Sequence, residues 1–448
     1  MQMDLTTGSV TGKMLRFAVP FILGNLLQQL YNVADTLIVG QFLGADALAA
    51  VGSAYTLMTF LTSILLGLCM GSGAVFSIRY GERNQQRLHD SMFVSFVLIG
   101  LLALVLNAAV FLWIDPIIRL LQVPAQLVEL MREYLWVIFW GIVATFLYNY
   151  FASLLRAVGN SLTPLLFLGI SALLNVVLDL VCVLVFHWGV AGAAIATVFS
   201  QYVSGVGILI YTFVKFPQLR IPRSAMRLRR EILSEISQFS LLTCVQQSVM
   251  NFGILMVQGL INSFGPVVMA AFAAGVKIDS FAYMPVQDFG NAFSTFVAQN
   301  YGAKKSSRIR AGIRSAVAIA ILFCIAVSAI VFLFARPLLM IFIQPQETEI
   351  LAVGVQYLRV EGACYCGIGC LFLLYGLYRA VQKPGMSVVL TVISLGTRVV
   401  LAYTLSAVPA IGVLGIWWSV PIGWFLADLT GFLYYLRCRK AIEAKLGI

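Results

Sequence analysis

Charge is scarce in this chain. Of its 448 residues only 10% are Asp, Glu, Lys or Arg, where a soluble domain carries about 25%. That scarcity excludes a water-soluble globular protein, because too few polar groups remain to cover its surface. Histidine is scarcer still. His89 and His187 are the only two, which leaves little for a histidine-based metal centre or a catalytic triad. The eight cysteines are scattered through apolar stretches. Cys364, Cys366 and Cys370 fall close together but have no histidine beside them, so they read as small buried apolar side chains rather than metal ligands. A cleavable leader is also missing from the pattern: Lys13 and Arg16 run straight into an apolar stretch too long for a signal-peptide core, which reads as a retained span.

What is present in quantity is apolar length. The chain is 61% hydrophobic with a mean hydropathy of +0.95. Apolar stretches recur from Phe17 to Tyr435, each long enough to cross about 30 Å of hydrocarbon. Hydropathy predicts twelve spans, at 15–39, 48–77, 91–113, 131–155, 164–186, 189–214, 237–262, 267–298, 311–334, 351–378, 385–408 and 412–436. Counting the connections alternately, one side holds 23 of the 29 Lys and Arg residues. The positive-inside rule makes that side cytoplasmic and puts both termini there. The formal charge of +11 is therefore a topology signal, and no nucleic-acid partner is expected.

The largest polar break, Lys215 to Glu235, lies near the middle, and its flanks repeat one another. Phe42-Leu-Gly44 returns as Ser263-Phe-Gly265 and Tyr80-Gly81 as Tyr301-Gly302, at an offset of 221. Arg156-Ala-Val158 returns as Arg379-Ala-Val381 and Gly189-Val-Ala-Gly192 as Gly412-Val-Leu-Gly415, at an offset of 223. The expected fold is an all-α membrane protein of twelve transmembrane helices in two pseudo-twofold six-helix lobes, 1–214 and 237–448, joined by a linker at 215–236. Six spans per half give the halves the same orientation, and parallel repeats of this kind place a substrate site between halves that rock in alternating access.

The chemistry lies in the polar residues the spans carry. In the first span Asn25, Gln28, Gln29, Asn32 and Asp35 fall on one helical face, and Pro20 near its start permits a bend. Ser171, Asn175 and Asp179 repeat every four residues in the fifth span, and Thr197, Gln201 and Ser204 line the sixth. Lipid cannot satisfy such stripes, so they face a watery cavity or another helix. An intramembrane carboxylate costs roughly 2.5–3.5 kcal/mol at a helix centre on insertion scales, which makes Asp35 and Asp179 functional candidates. With Asn175 and Thr197 they offer an oxygen set suited to Na⁺, or two carboxylates able to share a proton. The bland alternative is that these groups only hydrogen-bond helices together.

The second half does not copy this set. By the offsets, Asp35 corresponds to about Met256, Asn175 to Arg398, Asp179 to Ala402 and Thr197 to Val420. It carries charges of its own: Lys277, Asp279 and Asp288 in the eighth span, Arg398 in the eleventh and Asp428 in the twelfth. The expected arrangement is a network in which Lys277 and Arg398 neutralise Asp279 or Asp288, as structural glue or as part of substrate handling.

Over essentially its whole length the chain resembles the multidrug and toxic compound extrusion (MATE) transporters, closest to the bacterial branch of DNA-damage-inducible and staphylococcal multidrug pumps. The resemblance rests on the repeat, on Pro20…Asp35 continuing as Ala34-Asp-Thr-Leu-Ile-Val-Gly40, on Leu48-Ala-Ala-Val51, on Arg156-Ala-Val-Gly-Asn-Ser-Leu-Thr-Pro164 and on Asn175-Val-Val-Leu-Asp179. It implies two six-helix lobes that export amphipathic, cationic organic compounds in exchange for Na⁺ or H⁺. The family's N-lobe cation site carries over onto Asp35, Asn175, Asp179 and Thr197, and its helix-bending proline onto Pro20. The acidic pair that some members carry in the C-lobe finds no match here, with Gln246 and Gln247 in the seventh span and no carboxylate expected in the core of the tenth. The reading is therefore a monomeric, multi-pass transporter of the cell membrane. It is not an enzyme, and it needs no cofactor or metal beyond the coupling ion. Its partners are a small-molecule substrate and membrane lipid. The alternatives are a lipid-linked precursor flippase of the same superfamily, an intramembrane enzyme, for which no catalytic spacing is present, and a channel, for which no repeated pore loop is present.

Overall fold

The computed structural model describes residues 3–120 and 125–445; the outermost expected lobe bounds, residues 1 and 448, lie outside them. Among the described residues the chain is helical, with no strand. The helices that matter below are α1 (Val10–Leu43), α2 (Ala45–Gly81), α3 (Gln85–Leu112), α4 (Val128–Ile138), α5 (Gly141–Ala157), α6 (Leu162–Leu180), α7 (Gly189–Lys215), α8 (Arg230–Asn262), α9 (Pro266–Gly302), α10 (Ser306–Leu333), α11 (Thr348–Gly362), α12 (Tyr365–Ala380), α13 (Pro384–Ser406) and α14 (Val413–Lys445). Ten helices are individually long and apolar enough to cross a membrane, and two bent pairs bring the number of spans to as many as twelve. The fourth and tenth spans, expected to be continuous, are each broken. The α4–α5 pair, taken from Ala125, bends by 45° and the α11–α12 pair by 49°. Hydropathy does not register such a break, because the residues on both sides of it are equally apolar.

The repeat is written in the backbone as well as in the letters. Positive φ angles recur in matched places: 91° at Gly44 and 94° at Gly265, 56° at Arg83 and 54° at Lys304, 85° at Gly159 and 61° at Gln382, 58° at Gly189 and 53° at Gly412. Left-handed backbone favours glycine for want of a Cβ, so Gly44 and Gly265 are held to the same turn into α2 and α9.

The chain divides into two compact units. Unit 1 is Met1–Asp4 with Val19–Cys244, and unit 2 is Leu5–Ala18 with Val245–Ile448. The division therefore falls inside α1, one residue before Pro20, and inside α8, rather than at a free linker. The 215–236 segment is part of unit 1 for physical reasons. Leu219 and Ala225 are fully buried, His89 Nε2 bonds the Gln218 carbonyl at 2.7 Å, and Arg79 grips Glu235 at 2.6 Å and Glu82 at 2.9 Å. The first turns of α8 then press on α2. A Cβ on Gly71 would stand 2.4 Å from the Phe239 carbonyl oxygen and one on Gly67 2.7 Å from Cys244 Cα, so only glycine admits this approach. Buried aromatics fill the rest of unit 1, with Tyr150 edge-on to Phe76 and its hydroxyl donating to the Met92 carbonyl at 2.6 Å.

In unit 2 the opening residues of the chain are held through their backbone. Asn300 and Arg308 donate to the Leu5 carbonyl, Lys305 to that of Thr6 and Arg308 to that of Gly8. Around them α9 packs on α10, α11 and α12, and α13 on α14.

Candidate functional site

Unit 1 gathers the four residues singled out from sequence. Asn175 and Asp179 sit one turn apart on the buried face of α6, with 1% and 0% exposure. Thr197 projects from α7, which packs along α6. Asp35 comes from α1, and its carboxyl is in hydrogen-bonding contact with that of Asp179. In the amide orientation that satisfies its neighbours, Asn175 donates to Asp179 Oδ2 at 3.2 Å and accepts from the Thr197 hydroxyl at 3.2 Å. One oxygen of each carboxyl, Asp35 Oδ1 and Asp179 Oδ1, is buried with no hydrogen-bond partner. Directly after Asp179 the helix widens into a π-turn at Val181–Val185, a distortion often found at functional positions.

Two carboxyls in contact cannot both stay ionised in a buried place without a cation or a proton between them. Two unpaired carboxyl oxygens, an amide oxygen and a hydroxyl can supply either need. Tyr31 and Tyr134 complete the surroundings, each standing close enough to both carboxyls to feel their charge.

The remaining residues of the stripe disperse. Asn32 donates to the Tyr55 hydroxyl at 3.3 Å. Asn25 and Gln29 are half-buried and Gln28 is exposed along α1. Gln201 packs on Gly141 at the break of the fourth span, with its amide oxygen buried and unpartnered. Pro20 lies at the unit boundary within α1.

In unit 2 the expected charge network takes a different form. Asp279 is 2% exposed, and its two oxygens accept from the hydroxyls of Tyr357 and Tyr365. Arg398 is half-buried and acts on Asp279 through its charge, but among the described residues neither it nor Lys277 closes a direct ion pair. The Lys277 ammonium instead stands 5.6 Å from the ring of Phe342. Two residues of helix separate Lys277 from Asp279 by more than half a turn, so they cannot share a face. Asp288 is buried elsewhere on α9, one turn from Asn291, which accepts from Arg379 at 3.5 Å.

The tenth span also holds the carboxylate it was expected to lack. Glu361, 4% exposed, lies at the end of α11 beside Asp279. Sequence reasoning missed it along with Tyr31, Tyr134, Tyr357 and Tyr365. One signal was available: Tyr134-Leu-Trp-Val137 returns as Tyr357-Leu-Arg-Val360 at the offset of 223, and each of these tyrosines faces the carboxyls of its own unit.

The MatE family model matches residues 20–181 and 240–404. The chain belongs to the MatE family. It is 31% identical to "Probable multidrug resistance protein YpnP" of Bacillus subtilis (strain 168), over 96% of both chains. It is 26% identical to "Probable multidrug resistance protein YoeA" of the same organism, over 95% of this chain and 94% of that one. Its fold is that of a solved MATE transporter in the bent conformation, with a TM-score of 0.93, 24% identity and coverage of 99% of this chain and 98% of that one. A MATE-type, multi-pass membrane architecture of two six-span repeats is thereby established, and the relatives that share it are named for multidrug resistance.

Proposed function

We propose that this MatE protein is an antiporter that exports amphipathic organic cations from the cell and is driven by Na⁺ or H⁺ bound at Asp35, Asn175, Asp179 and Thr197. The observation that carries the proposal is the Asp35–Asp179 contact, in which a half-buried carboxyl faces a buried one and each has an oxygen left unpartnered. A coupling ion taken up there neutralises the pair, and its loss restores a charge that burial penalises. One elementary charge moving down a membrane potential of 100 mV supplies about 2.3 kcal/mol, enough for a useful gradient from either ion. Placing the basic connections in the cytoplasm puts both termini inside the cell membrane, and a single chain contains every residue named.

The test is ethidium efflux from cells that lack their own pumps, comparing the wild type with Asp35→Asn and Asp179→Asn, with and without Na⁺. Export by the wild type that both variants abolish at normal expression supports the site, and dependence on Na⁺ names the ion. Export that survives both substitutions refutes the coupling assignment. Absence of any dye efflux turns the reading toward a narrow substrate or a lipid-linked precursor.

A further inference from the structure

The cluster around Asp279 lies outside the site just described and is built differently. Tyr357 and Glu361 lie one turn apart on one face of α11, and Tyr365 opens α12 just beyond the break. The outer two donate their hydroxyls to opposite oxygens of Asp279. Glu361, between them, is turned to the same carboxyl and is in hydrogen-bonding contact with it, while its Oε1 is buried with no partner. The other titratable groups that face the pair are Arg398 from α13, Tyr283 from α9 and Cys364 from the break. Trp417 from α14 closes the cluster, edge-on to Tyr357 at 4.8 Å.

We propose that Asp279 and Glu361 share a single proton and make up a proton-binding site of unit 2, distinct from the carboxyl pair of unit 1. Two ionised carboxylates are acceptors only and cannot hold each other without a hydrogen between them. With one proton shared, the cluster contains one carboxylate, one carboxylic acid and one guanidinium, and is electroneutral, which is what a buried charge cluster in a membrane protein requires. Each oxygen of Asp279 accepts one phenol proton and keeps a further lone pair for the proton shared with Glu361. Exchange of this proton needs the surrounding helices to part, because both carboxyls are nearly inaccessible to water. A role in export rests on the antiporter reading above, but the occupancy of the site does not.

The experiment is infrared spectroscopy of the purified full chain carrying Asp35→Asn and Asp179→Asn, so that the unit 1 carboxyls contribute nothing and a failure of the exporter reading leaves the result intact. The expected difference at neutral pH between this protein and the same protein carrying Glu361→Gln is a protonated-carboxyl C=O band worth one carboxyl per protein, which the substitution removes. A spectrum indifferent to Glu361→Gln overturns the shared proton. Tyr365→Phe serves if Glu361→Gln fails to fold: freeing one oxygen of Asp279 shifts the band, and an unshifted band counts against the cluster.

Discussion

Unit 1 and unit 2 each set two carboxyls against tyrosines, yet they draw them from different helices of the same repeat. In unit 1 the acids come from the first and fifth spans, Asp35 and Asp179, and the tyrosine of the broken fourth span, Tyr134, faces them. In unit 2 the acids come from the second and fourth spans of the half, Asp279 and Glu361, and the matching tyrosine, Tyr357, bonds one of them. The unit 1 pair has unpartnered oxygens and no cation among the groups that act on it. The unit 2 pair has phenol donors on Asp279 and a guanidinium nearby. A duplicated scaffold can thus keep its shape, down to matched φ angles at Gly44 and Gly265, while its charges move to new positions. The open pair suits uptake and release of an ion, and the clamped pair suits retention of a proton.

The largest expected effect separates the two pairs directly. Asp35→Asn or Asp179→Asn abolishes dye export, because a permanently neutral amide has no charge to exchange. Asp279→Asn leaves export measurable and alters its pH profile instead. Equal loss in all three, at equal expression in the same efflux assay, removes the functional distinction between the pairs.

A smaller effect follows from the phenol clamp. Tyr365→Phe deletes a hydrogen bond to Asp279 inside a buried cluster and should destabilise the protein by about 1–3 kcal/mol, the range for bonds to a charged or otherwise unsatisfied group. Thermal unfolding in detergent, followed by the fluorescence of purified protein, measures it. An unchanged midpoint means the hydroxyl is replaced by water and the clamp is not tight. Arg398→Gln probes the guanidinium in the same assay. Arg398 is half-buried and makes no direct ion pair among the described residues, so solvent screening holds the loss to about 1 kcal/mol or less. A loss as large as that for Tyr365→Phe would show that Arg398 bonds the carboxyls directly.

Much of this was legible in the letters. Hydropathy gives the spans, and the offsets of 221 and 223 give the duplication. The i, i+4 spacing of Asn175 and Asp179 places both on the buried face that the structure shows. What failed was the transfer of one half's site onto the other. Looking for oxygens at the counterparts of Asp35 and Asp179 finds Met256 and Ala402 and misses Glu361, whose counterpart is the apolar Ile138. The breaks in the fourth and tenth spans are invisible to hydropathy because both flanks are equally apolar, yet the second lies between Glu361 and Tyr365, both of which reach Asp279. The 215–236 segment, a linker by its polarity, packs with unit 1 because Leu219 and Ala225 are buried and α8 approaches α2 along its glycines.

The smallest expected effect tests the division of the charges in unit 2. The sequence offers Lys277 and Arg398 as counter-charges for Asp279 or Asp288, and removing a buried counter-charge costs about 3–5 kcal/mol. In the structure Lys277 and Asp279 leave α9 on different sides. Asp279 is turned to the tyrosines and the Lys277 ammonium to the Phe342 ring at 5.6 Å. At that distance a cation–π contact contributes about 0.5–1 kcal/mol at an exposed site, and a methionine keeps most of the aliphatic stem packed. Lys277→Met should therefore shift stability by no more than about 1 kcal/mol and leave the protonated-carboxyl band of the unit 2 pair in place. Thermal unfolding and the infrared band together decide it: a large destabilisation with loss of the band would mean that Lys277 supplies the charge balance here assigned to Arg398.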